Sequence, residues 1–285
     1  MRRGLATRPH ERPGRGYLAD WYAPRAASEL RHFQSIVADY EHADVLRVVL
    51  ARAARSARLT THFDLEFPRS PQHEPYWRHK HRRTCRPVGE ADKFLGRYLL
   101  DTLDRLKAFQ RIRAPERSAE ILHADARDVA LEDRFDAILT SPPYPGLIDY
   151  HEQHRYACEL LGLDDRRGVE LGAAARGTSR AAVEEYASGI SEVLRGCTDA
   201  LALGAPVIVV VNDRRDLYPD ILQRSGLRLE DRLERHVNRR TGRRAGECYE
   251  SVLIASVDPG KGCVRTRRAW EDSNGSPSSL AAQTP

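Results

Sequence analysis

Apolar positions in this chain follow two different rhythms. From Pro24 to about Arg58, and again over 88–113, they recur every three to four residues, as in ASELRHFQSIVADY, VLRVVLARAARSARL and VGEADKFLGRYLLDTLDRLKAFQRIR. That spacing predicts two helices followed by a third. The intervening stretch 60–87 holds four prolines and no sustained period, which predicts a long irregular loop. Beyond residue 118 short apolar runs take over: EILHA (120–124), FDAILTS (135–141), APVIVVVND (205–213), LRLEDRLERHV (227–237) and CYESVLIASV (248–257). Helical stretches near 151–162, 179–203 and 216–225 separate most of them. Strands alternating with helices predict a doubly wound α/β sheet. The last two runs have only a turn-rich loop between them, so they are expected to end the sheet as an antiparallel hairpin.

Charge divides the chain at nearly the same place. Residues 1–118 carry 24 basic and 14 acidic side chains, a net +10, whereas 119–260 carry 18 and 25, a net −7. Of the basic residues only four are lysine, and a GC-rich coding bias explains an arginine excess without any function; it does not explain the change of sign near 118. A basic segment of this kind is what a phosphate-tracking surface looks like. The expected organisation is an Arg, Gly and Pro rich arm (1–16), a basic helical region (17–118), an α/β region (119–258) and a low-complexity tail (259–285). No run of 18 apolar residues occurs and the start, MRRGLATRPHERPGRGY, lacks an apolar core, which argues against membrane insertion or secretion and for a cytoplasmic protein. The five cysteines follow no ligand spacing, so neither a disulfide framework nor a zinc site is expected.

The chemistry is concentrated in Ser141-Pro142-Pro143-Tyr144, directly after the FDAILT run. In open α/β sheets ligands sit at the carboxyl ends of strands. A serine hydroxyl and the carbonyl of the next residue can both accept hydrogen bonds from an amino group. Proline stiffens the chain that carries them, and an adjacent aromatic offers a stacking face. This set suits methylation of an exocyclic base nitrogen, whose lone pair is delocalised into its ring and which must be held in line for attack; a base in a duplex is flipped out to reach such a site. The plainer alternative is a rigid Pro-Pro turn leaving a strand.

With its flanks HADARD (123–128) and PGLIDYHEQHRYACELLGL, this motif resembles the catalytic region of S-adenosylmethionine-dependent DNA amino-methyltransferases. The similarity runs through VNDRRDLY and HVNRRTGRRAGECYESVLI to about residue 257. The Ser form is more typical of cytosine-N4 enzymes, the Asp and Asn forms of adenine-N6 enzymes. The resemblance implies a partial Rossmann-like methyltransferase sheet and S-adenosyl-L-methionine as cofactor. It implies that Ser141 and the Pro142 carbonyl hold the target amino group, that Tyr144 stacks on the base and that Asp125 meets the cofactor adenine; Pro143 belongs to the same catalytic motif.

The family's Gly-rich cofactor loop behind a first strand has no counterpart. PGRG (13–16) follows no strand, and LGAAARG (171–177) lies between helices downstream of the motif. Three explanations are open: a truncated product, a second chain that supplies the cofactor half, or a DNA-binding remnant without catalysis. An RNA amino-methyltransferase is a further alternative. DNA is the expected partner on two grounds. Arg239, Arg240, Arg243 and Arg244 lie in the loop between the last two strands, which would fall at the same carboxyl edge as Ser141. The segment Tyr76–Arg86 offers Arg78, Lys80, Arg82 and Arg83 with Trp77 and no acid. A zinc reading through His79, His81 and Cys85 lacks a fourth ligand. Asn212 and Asp213 end another strand, as hydrogen-bonders behind the site or as a plain turn.

Overall fold

A computed structural model describes residues 16–61, 70–79, 82–132, 134–202, 204–237 and 248–258. It is mixed α/β, with two sheets. The chain divides into two compact units, one of residues 1–127 and 141–190, the other of 128–140 and 191–285. The expected arm 1–16, apart from Gly16, and the tail 259–285 lie outside the described residues.

The first unit is built on helices. α1 (Tyr17–Trp21), α2 (Pro24–Val37), α3 (Ala43–Ala57) and α4 (Asp92–Ile112) are joined by α5 (Tyr150–Gln153) and α6 (Arg155–Leu161). Pro24 opens α2 where a missing N–H costs nothing and its fixed φ already suits a helix. The apolar faces of α2 and α3 meet through alanine: Ala26, Ala53, Ala54 and Ala57 are fully buried beside Leu30 and Leu50. Short side chains let the helices approach closely, and the larger Tyr22, Tyr156 and Leu160 fill what remains. The Tyr22 hydroxyl donates to the Ala54 carbonyl at 3.0 Å, so the ring is buried without a lost hydrogen bond. Arg58, nearly fully buried, has its guanidinium carbon 4.6 Å from the Tyr156 ring centre. The amino end of α4 is capped from a distance. Glu29 accepts from the Ala91 and Asp92 amides at 2.5 and 3.0 Å and pairs with Arg25 at 2.7 Å.

The stretch expected to be irregular, 60–87, contains a small hairpin. β1 (Tyr76–Arg78) pairs antiparallel with β2 (Arg83–Cys85). Three-residue strands are too short to show a period of two, which is why the sequence pattern does not reveal them.

The second unit holds a four-stranded sheet of order β3-β4-β6-β5, from β3 (Ile138–Thr140), β4 (Val207–Val211), β5 (Leu227–Val237) and β6 (Cys248–Val257). β3 and β4 run parallel, with Thr140 opposite Val209. β6 runs antiparallel to both β4 and β5, so β3, β4 and β5 all point the same way. The expected terminal hairpin is present, its second strand inserted between β4 and β5. Val207, Val209 and Val211 turn one face of β4 into the core with Leu253 and Ala255 of β6, and α8 (Tyr218–Arg224) adds Ile221 and Leu222. α7 (Arg180–Thr198) runs from the first unit into the second.

One expected strand is absent. Residues 120–124 form neither strand nor helix, and Ile121 is 90% exposed. A run of β-formers becomes a strand only when a neighbour supplies ladder bonds and a face to bury.

Candidate active site

The parallel course of β3, β4 and β5 puts their carboxyl ends at one edge of the sheet, and from Thr140 the chain passes straight into the motif. Ser141 is exposed, and Pro142, Pro143 and Tyr144 are half-buried. The buried Tyr186 of α7 donates its hydroxyl to the Pro143 carbonyl at 2.8 Å. Leu147 N–H closes a turn onto the Tyr144 carbonyl at 3.2 Å.

The LGAAARG segment backs this loop. Gly146 N–H donates to the Gly172 carbonyl at 2.9 Å, and Ala174 N–H donates to the Ile148 carbonyl at 3.3 Å. The Asp149 carboxylate accepts from Ala175 N–H at 2.8 Å, while Glu170 accepts from Tyr150 and His151 N–H at 2.6 and 3.3 Å, capping α5. Both glycines have φ near +70°, and a methyl group on Gly172 would stand 2.9 Å from the Tyr186 ring and 3.2 Å from Pro145 Cα. Sequence reasoning treats this segment only as a cofactor loop out of place, and nothing in the helical pattern around Tyr186 distinguishes it. The signal that was available is the spacing of two glycines on either side of a docked loop.

Asp125 does not end a strand. It accepts from its neighbour Arg127 through the backbone N–H at 3.0 Å, Nε at 2.9 Å and Nη2 at 2.5 Å. These bonds hold its pKa down to about 2. His151, half-buried, lies 3.4 Å from Asp165, whose carboxylate is kept ionised far below its usual range by Arg167. Burial and the cations Arg55 and Arg58 lower the pKa of His154, which contacts the Tyr156 hydroxyl at 3.2 Å. Among the described residues no three His, Cys, Asp or Glu side chains are grouped to hold a metal ion. Nor do they assemble a cradle for S-adenosylmethionine: the Asp125 carboxylate is taken up by Arg127, and Gly146 and Gly172 serve the motif loop.

At the other strand ends the roles are structural. Asp213 accepts from Leu217 and Tyr218 N–H at 2.9 and 3.0 Å and so caps α8. Asn212 donates to the Tyr249 carbonyl at 2.9 Å, tying β4 to β6. Arg239, Arg240, Arg243, Arg244 and Lys80 lie outside the described residues. On the small hairpin Arg78 stands directly opposite Arg83, with Arg82 exposed beside them and Trp77 51% exposed.

No family model and no solved structure matches the chain. Among curated proteins, the Type II methyltransferase M.MjaII of Methanocaldococcus jannaschii is 37% identical over 260 residues, covering 85% of this chain. The match takes in 49% of that protein, so the chain spans about half the length of its relative. With the Ser-Pro-Pro-Tyr loop at the carboxyl end of a parallel strand, this extent of identity means that the chain belongs to the DNA methyltransferase family.

Proposed function

We propose that this chain carries the catalytic portion of a DNA methyltransferase that moves a methyl group from S-adenosyl-L-methionine to an exocyclic base amino group, cytosine N4 in preference to adenine N6. The observation that carries the reading is the Ser141–Tyr144 loop itself, directly following a parallel strand and hydrogen-bonded at its centre. In this reading Ser141 Oγ and the Pro142 carbonyl accept from the amino group and turn its lone pair toward the donor, while Tyr144 holds the flipped base by stacking. The donor supplies an electrophilic methyl group. In this reading its Gly-rich cradle is supplied by a segment other than these 285 residues, in the same polypeptide or in a second chain. On the same reading Arg78, Arg82 and Arg83, with Arg239, Arg240, Arg243 and Arg244, neutralise DNA phosphates.

The test is transfer of tritiated methyl from S-adenosylmethionine to unmethylated DNA, followed by nucleoside analysis. N4-methylcytosine is expected, and Ser141→Ala is expected to abolish transfer with DNA affinity within a factor of two. N6-methyladenine would overturn the cytosine preference. Label in RNA alone would move the function to the RNA alternative, and DNA binding with no transfer, even after a second chain bearing a Gly-rich loop is added, would leave the remnant reading.

A further inference from the structure

LGAAARG and Tyr186 are the features that this function leaves unused, and they converge on one peptide. Proline fixes φ, so Pro143 keeps a single soft backbone angle, ψ, and the direction of its carbonyl reports that angle. Tyr186 Oη donates to that carbonyl at 2.8 Å from a side chain 1% exposed. Its ring is itself confined, because Gly172 packs against it so closely that a Cβ there would stand 2.9 Å from Cδ2. Gly172 in turn accepts from Gly146 N–H on the far side of Tyr144. The two contacts bracket the motif: Tyr186 sets the peptide between Pro143 and Tyr144, and Gly172 sets the turn that follows.

We propose that Tyr186, seated against Gly172, is a positioning residue that fixes the orientation of Pro143 and hence the line of the Ser141 and Pro142 acceptors and the plane of Tyr144. The inference rests on the methyltransferase reading for its catalytic consequence and on the geometry alone for its structural one. A hydroxyl that only stabilised the fold would affect the whole first unit; a positioning hydroxyl acts on the loop and on turnover.

Tyr186→Phe keeps the ring and removes the bond. In the full chain, amide hydrogen exchange at Tyr144 and at 146–148 is expected to quicken at least tenfold, with α7 unchanged as the control for folding. In the methyl-transfer assay kcat is expected to fall about tenfold or more with KM for DNA within twofold, since misplacing a reacting group by an ångström costs up to about a hundredfold. Gly172→Ala, which pushes on the same ring, is expected to give the same exchange signature. Wild-type exchange over 144–148 in Tyr186→Phe overturns the proposal, and so does a wild-type kcat. A wild-type protein that transfers no methyl to DNA even after a second chain bearing a Gly-rich loop is added, while Tyr186→Phe still loosens the loop, sinks the methyltransferase reading and leaves the loop-fixing role standing.

Discussion

Removing the carboxylate of Glu29 tests how the first unit is held together. Glu29 belongs to α2 but caps α4, 62 residues on, and its side chain is 5% exposed. Each of its bonds to the Ala91 and Asp92 amides is charge-assisted, a type whose net contribution is about 1.5–3 kcal/mol. The position also places a negative charge at the positive end of a 21-residue helix, for about 0.3–1 kcal/mol more. Desolvating the carboxylate opposes this, and Arg25 at 2.7 Å offsets part of that cost. Glu29→Ala leaves a fully buried amide at Ala91 without its acceptor, so the expected loss is about 3 kcal/mol, at the upper end of the cost of an unsatisfied buried donor. Glu29→Gln keeps an oxygen at the same place and is expected to lose about 1 kcal/mol. Urea unfolding followed by Trp21 fluorescence, with Trp77 and Trp270 replaced by phenylalanine, measures both. At an m-value of about 2 kcal/mol/M the alanine midpoint falls by roughly 1.5 M. A shift under roughly 0.2 M, or equal shifts for alanine and glutamine, would refute the capping argument.

Three further outcomes follow from the geometry. Arg127→Gln should return the Asp125 carboxyl from about 2 toward the ordinary Asp value, read by carbon-detected NMR titration. Because a depressed carboxylate stabilises the fold above its unfolded pKa, that contribution is lost as pH falls toward 2, and the variant should lack this acid-side slope; an unmoved titration would exclude the Arg127 bonds as its cause. Asp92 has the opposite sign: burial foremost, then the charge of Glu29, raises its pKa, so its contribution to stability is present at low pH and disappears as pH climbs through the folded value. Glu29→Gln should bring the Asp92 titration down. Arg78→Glu with Arg83→Glu should weaken DNA binding and reduce the salt slope by about two, roughly 0.9 for each phosphate that is no longer neutralised; unchanged affinity and slope would make the hairpin a solvated surface.

How far the sequence carries differs between helix and strand for a physical reason. Helical periodicity is local, so α2, α3, α4 and α7 can be read within a few residues of their ends. Strands need neighbours. VIVVV at 207–211 is legible because it is buried on one face and paired on both sides, whereas EILHA looks equally strand-like and forms nothing. The hairpin β1–β2 escapes notice for the opposite reason, its ladder being too short for any pattern.

The site shows the same division between what is local and what is contributed from afar. Ser141, Pro142, Pro143 and Tyr144 are contiguous, so a four-residue pattern betrays them. What fixes their conformation comes from 26 to 43 residues later in the chain: Gly172 met by Gly146, and Tyr186 met by Pro143. No contiguous motif can encode a contact at that separation. What remains visible is the unexplained composition of the second partner, here two glycines and a run of alanines where a cofactor loop does not belong. A glycine at positive φ with no Cβ space is a demand made by something packed against it. Gly172 therefore points to Tyr186, and substituting it tests the motif's geometry without touching a residue that meets the base.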